Sequence, residues 1–250
     1  MHGALHRLFV ALLLLFPASQ ASAVSFGVYG EWSTGSQSFD FIDGIDLDVA
    51  YWTPGCDSFC TQLYVPGTDF DQSQWSLGAL LDTNVAKDSL FGYRLEIGYE
   101  RATKQANGAV YQTLFNTGNL AFSANTIPDV IGNGFEINNI FAFGVLRRER
   151  FKLWLGPNLR LGFQAYQYPL LGTGYEFSAG AGVRAGVNYH VSDRVSLSLT
   201  AGYTYVGRVG AVPFGNVSGR FDDSGYTQGG NMFGINLAVI LRGAGDQFTR

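Results

Sequence analysis

Three groups of residues in this chain could do chemistry. The first is Glu31, Asp82, Arg94, Glu96, Glu100, Glu136, Arg160 and Arg184, each standing where polar residues and glycines alternate with apolar ones. Carboxylates and guanidiniums brought to one face can pair, or line a path for water and ions. The second group is Cys56 and Cys60, which flank Asp57-Ser58-Phe59 and have no histidine near them, so a local disulfide is favoured over a metal or redox site. The third is His190, Ser192 and Asp193, a base, a hydroxyl and a carboxylate within six residues. Nucleophilic catalysis needs those three types in mutual reach, and adjacency in a polar turn does not provide it.

The elements that would position these groups are strands. Across 91–101, Phe91, Tyr93, Leu95, Ile97 and Tyr99 share one face, and Gly92, Arg94, Glu96, Gly98 and Glu100 share the other. Similar alternation recurs over 24–32, 75–82, 135–145, 151–164, 177–189, 195–205 and 233–242, which makes eight strands. Asn139 interrupts the apolar face of its strand. Pro157 cannot donate to a ladder, so a bulge or break is expected beside it.

Residues 1–23 read as a secretory signal peptide, with Arg7 ahead of the apolar run Leu8 to Phe16 and a small-x-small site at Ala21-Ser22-Ala23. No cysteine follows that site, so nothing suggests lipid modification. Residues 24–250 are then one domain, whose one histidine is His190. Glycine numbers 33 and aromatics make up 15%, against only 14% charged residues, an unusual balance for a soluble protein. After the leader no apolar run of about 18 residues remains, which excludes helical spans. A net charge of −4 with one small basic cluster, Arg147 to Arg150, makes nucleic acid an unexpected partner.

Connections decide between a soluble and a membrane sheet. Those at 84–89, 147–150 and 191–194 are short and polar, whereas 33–73, 103–134, 165–174 and 206–230 are long, the alternation of an outer-membrane barrel with periplasmic turns and extracellular loops. With the N-terminus periplasmic, Trp32, Trp75, Tyr99, Phe135, Phe163, Phe177, Tyr203 and Phe233 fall at the external end. Phe91, Phe151 and Tyr189 fall at the periplasmic end. Such girdles belong to a lipid-facing surface. The expected fold is all-β, a closed antiparallel transmembrane barrel of about eight strands.

The chain thus resembles the small outer-membrane β-barrel superfamily of the OmpA, OmpX and opacity-protein type, by patterning over nearly all of 24–250. Its last strand, with Gly234 followed by Leu237 and Val239, looks like that class's C-terminal insertion signal, although the chain continues to Phe248 and Arg250. The resemblance implies the outer membrane, with lipid and lipopolysaccharide as surroundings and a monomer as the expected state. It implies a structural or surface-interaction role through the loops, with a narrow passive channel as the alternative, and no cofactor. A membrane lipid-A deacylase of this barrel size is similar in using His, Ser and an acid, but His190 and Ser192 fall at a periplasmic turn, so no enzyme is expected.

In a barrel this narrow the eight charges point inward and must pair, and Arg94 should find its partner among Glu31, Glu96, Glu100 and Glu136. The first long loop is acidic and aromatic (Asp40, Phe41, Asp43, Asp46, Asp48, Tyr51, Trp52), with Ile45, Leu47, Val49 and Tyr51 alternating. It is expected to extend its hairpin or to form a small strand pair at the barrel mouth, where an extracellular protein or host ligand could bind. Cys56 and Cys60 should be bridged there. After reduction, a membrane-impermeant thiol reagent should label them in intact cells; labelling only after permeabilisation would invert the topology.

Overall fold

The computed structural model describes residues 24–41, 48–51, 60–63, 69–83, 90–106, 110–114, 118–122, 129–168, 172–212 and 224–242. The signal-peptide reading of 1–23, Cys56 and Phe248 lie outside them. In chain order the strands are β1 (Ser25–Phe41), β2 (Asp48–Tyr51), β3 (Cys60–Leu63), β4 (Asp69–Asp82), β5 (Phe91–Ala106), β6 (Val110–Leu114) and β7 (Gly118–Phe122). They continue as β8 (Val130–Arg147), β9 (Phe151–Tyr168), β10 (Gly172–His190), β11 (Val195–Val212) and β12 (Ser224–Leu241). Eight of them close a barrel in the order β1-β12-β11-β10-β9-β8-β5-β4, every ladder antiparallel.

Following paired residues once around the wall gives the stagger. From Phe26 the path runs through Leu81, Leu95, Asn139, Leu159, Ala181, Tyr205 and Asn231. It returns to β1 at Ser36, ten residues beyond its start. A closed sheet needs such a shear, and it tilts the strands by roughly 35–45° from the barrel axis.

The outer wall is apolar. Phe26, Val28, Ile97, Leu155, Leu199 and Leu237 are each between 49% and 61% exposed. Of the expected girdle residues, Trp32, Trp75, Tyr99, Phe135, Phe163, Phe177, Tyr203, Phe233, Phe91 and Tyr189 are exposed, and Phe151 is partly so. Along β4, β5 and β8, Trp75 and Tyr99 are tilted against each other at 59° with centroids 5.7 Å apart, and Tyr99 meets Phe135 edge to face at 6.4 Å. Asn139, the polar interruption on this face, accepts a 2.5 Å hydrogen bond from the Tyr93 hydroxyl on the neighbouring strand. That bond is why an amide is tolerated on an apolar wall.

The strands outrun the periodicity that announced them. β5 continues past Tyr99 to Ala106, β11 past Tyr205 to Val212, and β12 begins at Ser224 rather than near 233. The expected loops at 103–134, 165–174 and 206–230 are shorter accordingly. About 9–11 tilted residues cross a bilayer, so these ends stand beyond it. On β5 the outward face changes there from Ile97 and Tyr99 to Arg101, Thr103 and Gln105, and loss of the apolar face hid the strand.

The second departure is a four-stranded sheet of order β2-β3-β6-β7. The first loop does form a strand pair, Tyr51 opposite Cys60, but β3 also pairs with β6 of the second loop, Cys60 opposite Leu114. The two loops are thereby joined by main-chain bonds.

At Pro157, β9 stays continuous and pairs with Val183, while its ladder to β8 lapses between Ile140 and Phe143. The register shift itself falls between Gly144 and Leu146, nearer the periplasmic end.

Gly98 faces the lumen with no room for a side chain. A Cβ at this position would lie 2.4 Å from the Tyr29 hydroxyl and 2.9 Å from the Leu77 carbonyl oxygen. Ile97→Arg puts a charge on the lipid face and should cost about 2–4 kcal/mol. Thr200→Ser, which keeps a lumen hydroxyl, should be nearly silent in heat-modifiable gel migration; equal mild effects would count against membrane insertion.

Candidate functional site

The lumen is the core of this protein, and it is polar. Glu31, Asp82, Arg94, Glu96, Glu100, Glu136, Arg160 and Arg184 are all at most 4% exposed. The strand period places them there, because each sits out of phase with the lipid-facing residues of its own strand. Small apolar clusters fill between them, Tyr29 with Leu80, Ala238 and Ile240, and Ile140 with Ala142 and Trp154.

At mid-height Arg184 of β10 reaches across the barrel to Glu31 of β1. Its Nη1 lies 2.7 Å from Oε2 and its Nη2 2.8 Å from Oε1, a two-pronged pair spanning strands with no shared ladder. Arg184 also stands 3.5 Å from Glu96. Arg160 bridges Glu100 at 2.5 Å and Glu136 at 2.7 Å through Nη2. The Tyr29 hydroxyl donates to Glu136 at 3.1 Å, and the Asn236 amide donates to both Glu96 and Glu31, at 3.2 and 3.4 Å. Gln164 donates to Glu100.

Arg94 meets one of its expected partners, Glu96, but another carboxylate lies nearer. Its nearest carboxylate is Asp82, at 2.5 Å, and Glu96 is 3.8 Å away. Register decides this, since Asp82 stands directly opposite Arg94 across β4 and β5. The guanidinium also donates to Ser198 at 2.9 Å and packs over Trp154 with 5.1 Å to the ring centroid.

A second cluster lies toward the external end. Lys104 Nζ is 2.5 Å from Glu176 and donates to Gln228 at 2.7 Å, and Arg208 Nε lies 2.9 Å from the other oxygen of Glu176. The Tyr226 hydroxyl donates to Glu176 at 2.8 Å, and Lys104 stands 4.0 Å from the Tyr166 ring centroid. Lys104 and Arg208 fall in stretches that read as loops, so this cluster escaped the sequence. Continued parity from Glu100 through Ala102 to Lys104 was the signal available.

The candidate catalytic group does not assemble. His190 Nδ1 is 2.7 Å from Ser196 Oγ inside the lumen. Ser192 Oγ instead accepts from the backbone N–H groups of Arg194 and Val195, at 3.3 and 3.1 Å, and Asp193 is exposed. Among the described residues no group of His, Cys, Asp and Glu could hold a metal ion. Cys60 lies on β3.

Removing one member of a buried pair strands the other charge. Arg184→Gln should therefore cost about 3–5 kcal/mol, more than Arg184→Gln combined with Glu31→Gln. Urea unfolding in lipid vesicles gives the coupling, expected at about 0.5–3 kcal/mol; a value near zero would mean water screens the pair.

No family model matches the sequence, and no curated protein matches it. Solved structures do align. The outer membrane protein OprG from Pseudomonas aeruginosa matches 88% of this chain and 96% of its own, at TM-score 0.49 and 10% identity. Neisserial surface protein A matches 84% and 96%, at TM-score 0.33 and 13% identity. The outer membrane protease OmpT from Escherichia coli matches 88% and 96%, at TM-score 0.36 and 9% identity. The chain thus folds as a closed antiparallel barrel of eight strands, apolar outside, girdled by aromatics and filled with paired charges, which is the build of a small membrane-spanning β-barrel.

Proposed function

We propose that this protein is a closed, non-catalytic barrel that anchors an interaction surface on the outside of the outer membrane. The observation that carries the reading is the Arg184–Glu31 pair. It crosses the lumen at mid-height, and Arg160 with Glu100 and Glu136 fills the same region. A barrel of eight strands has room only for its own side chains, and here those side chains bond to each other. A lumen so occupied serves as a core.

The functional surface is then the sheet β2-β3-β6-β7. Main-chain pairing between two loops lowers the ordering cost of binding, since part of the chain is already held. The acidic first loop favours a partner with basic character, an extracellular protein or host ligand. Lipopolysaccharide and lipid surround the wall, and the protein acts as a monomer.

The separated places of His190 and Ser192 support the non-catalytic reading. One bonds within the lumen and the other caps a turn.

Wild-type protein in planar bilayers should carry no steady current. Among the described residues the buried cations Arg94, Lys104, Lys152, Arg160, Arg184, Arg208 and Arg242 face the buried carboxylates Glu31, Asp82, Glu96, Glu100, Glu136 and Glu176, so losing two guanidiniums leaves carboxylates in excess. Arg160→Ser with Arg184→Ser should therefore open brief cation-selective steps. Steady wild-type conductance would overturn the closed-barrel reading in favour of the narrow channel.

A further inference from the structure

The periplasmic end carries a feature that a plug and external loops leave unused. The β8–β9 turn is Arg147-Arg148-Glu149-Arg150, and the β10–β11 turn is Val191-Ser192-Asp193-Arg194. Arg148, Glu149, Arg150, Asp193 and Arg194 are all exposed. Backbone bonds tie the β8–β9 turn to the end of β10 and the β10–β11 turn to the end of β12. The His190 N–H donates to the Arg150 carbonyl at 2.7 Å, and the Arg242 N–H donates to the Arg194 carbonyl at 2.8 Å. Among these exposed groups three arginines face two carboxylates, with Arg147 half-buried beside them, in a chain whose net charge is −4.

The register shift in β8 completes the surface. Because it falls between Gly144 and Leu146, the alternation breaks and two successive apolar residues turn outward, Val145 at 69% and Leu146 at 40% exposure. Val191 on the neighbouring turn is 57% exposed. Apolar side chains thus continue the lipid-facing wall of Phe143 and Tyr189 down to the arginines.

We propose that Arg148, Arg150 and Arg194 bind the headgroups of anionic phospholipids in the periplasmic leaflet. A phospholipid matches both parts of the surface. Its acyl chains cover Val145, Leu146 and Val191, and its phosphate meets guanidiniums at the edge of the hydrocarbon, where charge attraction is strong. A soluble anion would use only the second part. The same arrangement fixes the barrel's depth, since arginines at a headgroup resist movement in either direction.

The test uses the full-length protein refolded into phosphatidylcholine vesicles with spin-labelled phosphatidylglycerol or spin-labelled phosphatidylcholine. The motionally restricted fraction in electron paramagnetic resonance gives relative affinity. Three arginines less two carboxylates leave one net charge, for which the expected preference for phosphatidylglycerol is on the order of five-fold, from about 1 kcal/mol per basic residue. R148Q/R150Q/R194Q should lose the preference while keeping heat-modifiable migration. E149Q/D193N, which leaves the arginines in place, should raise it, and this variant carries the test if the triple variant does not fold. No preference in the wild type, or an unchanged one in both variants, overturns the proposal. So does inorganic phosphate abolishing the preference when chloride of equal ionic strength does not, because the site would then be one for soluble phosphate.

Discussion

Backbone amides in hydrocarbon have no water to bond, so the sheet must close on itself. Here closure is the ladder between β1 and β12, unbroken from Phe26 opposite Leu241 to Phe41 opposite Tyr226. First and last strands of the barrel meet, which ties its integrity to residues some two hundred positions apart. Everything else follows from that ladder. With eight strands and a shear of ten residues, the tilt and diameter of the barrel are set, and the interior is narrow.

A narrow interior governs what charges may do. An isolated buried ion costs several kcal/mol, whereas a pair held by further hydrogen bonds offsets much of that cost. The lumen obeys this at each level. Arg94 is held by Asp82, Ser198 and the Trp154 ring, Arg184 by Glu31, and Arg160 by Glu100 and Glu136. Higher up, Lys104 and Arg208 share Glu176. Because Arg184–Glu31 and Lys104–Glu176 join strands that share no ladder, they brace the barrel from within, as apolar packing braces a soluble core. The apolar residues have gone to the lipid side.

Strand length divides the molecule by solvent. Between the girdles the outer face must be apolar, and beyond them it is free to be polar, as at Arg101, Thr103 and Gln105. The projecting strand ends carry the first two loops away from the bilayer, where β3 and β6 pair. At the other end the strands stop soon after the girdle, and the β8–β9 and β10–β11 turns are tight. The barrel is therefore asymmetric, with a built surface outside and a short basic rim inside.

Period-two alternation by itself determined the eight membrane strands, their order along the chain, the lipid-facing aromatics and the inward direction of Glu31, Arg94, Glu96 and Arg184. It could do so because a bilayer imposes its polarity rule on each strand separately. Where that rule lapses, the signal lapsed with it, so the outer strand ends, the Lys104–Glu176–Arg208 cluster and the joining of β3 to β6 were hidden. Partner choice was also undetermined, because it depends on register, a relation between strands that no single strand records. Asp82 rather than Glu96 is nearest to Arg94 because the β4–β5 ladder sets them opposite each other. Arg184 meets Glu31 because closure brings β10 and β1 within one side-chain span across a narrow lumen, a distance that exists only once the sheet has closed.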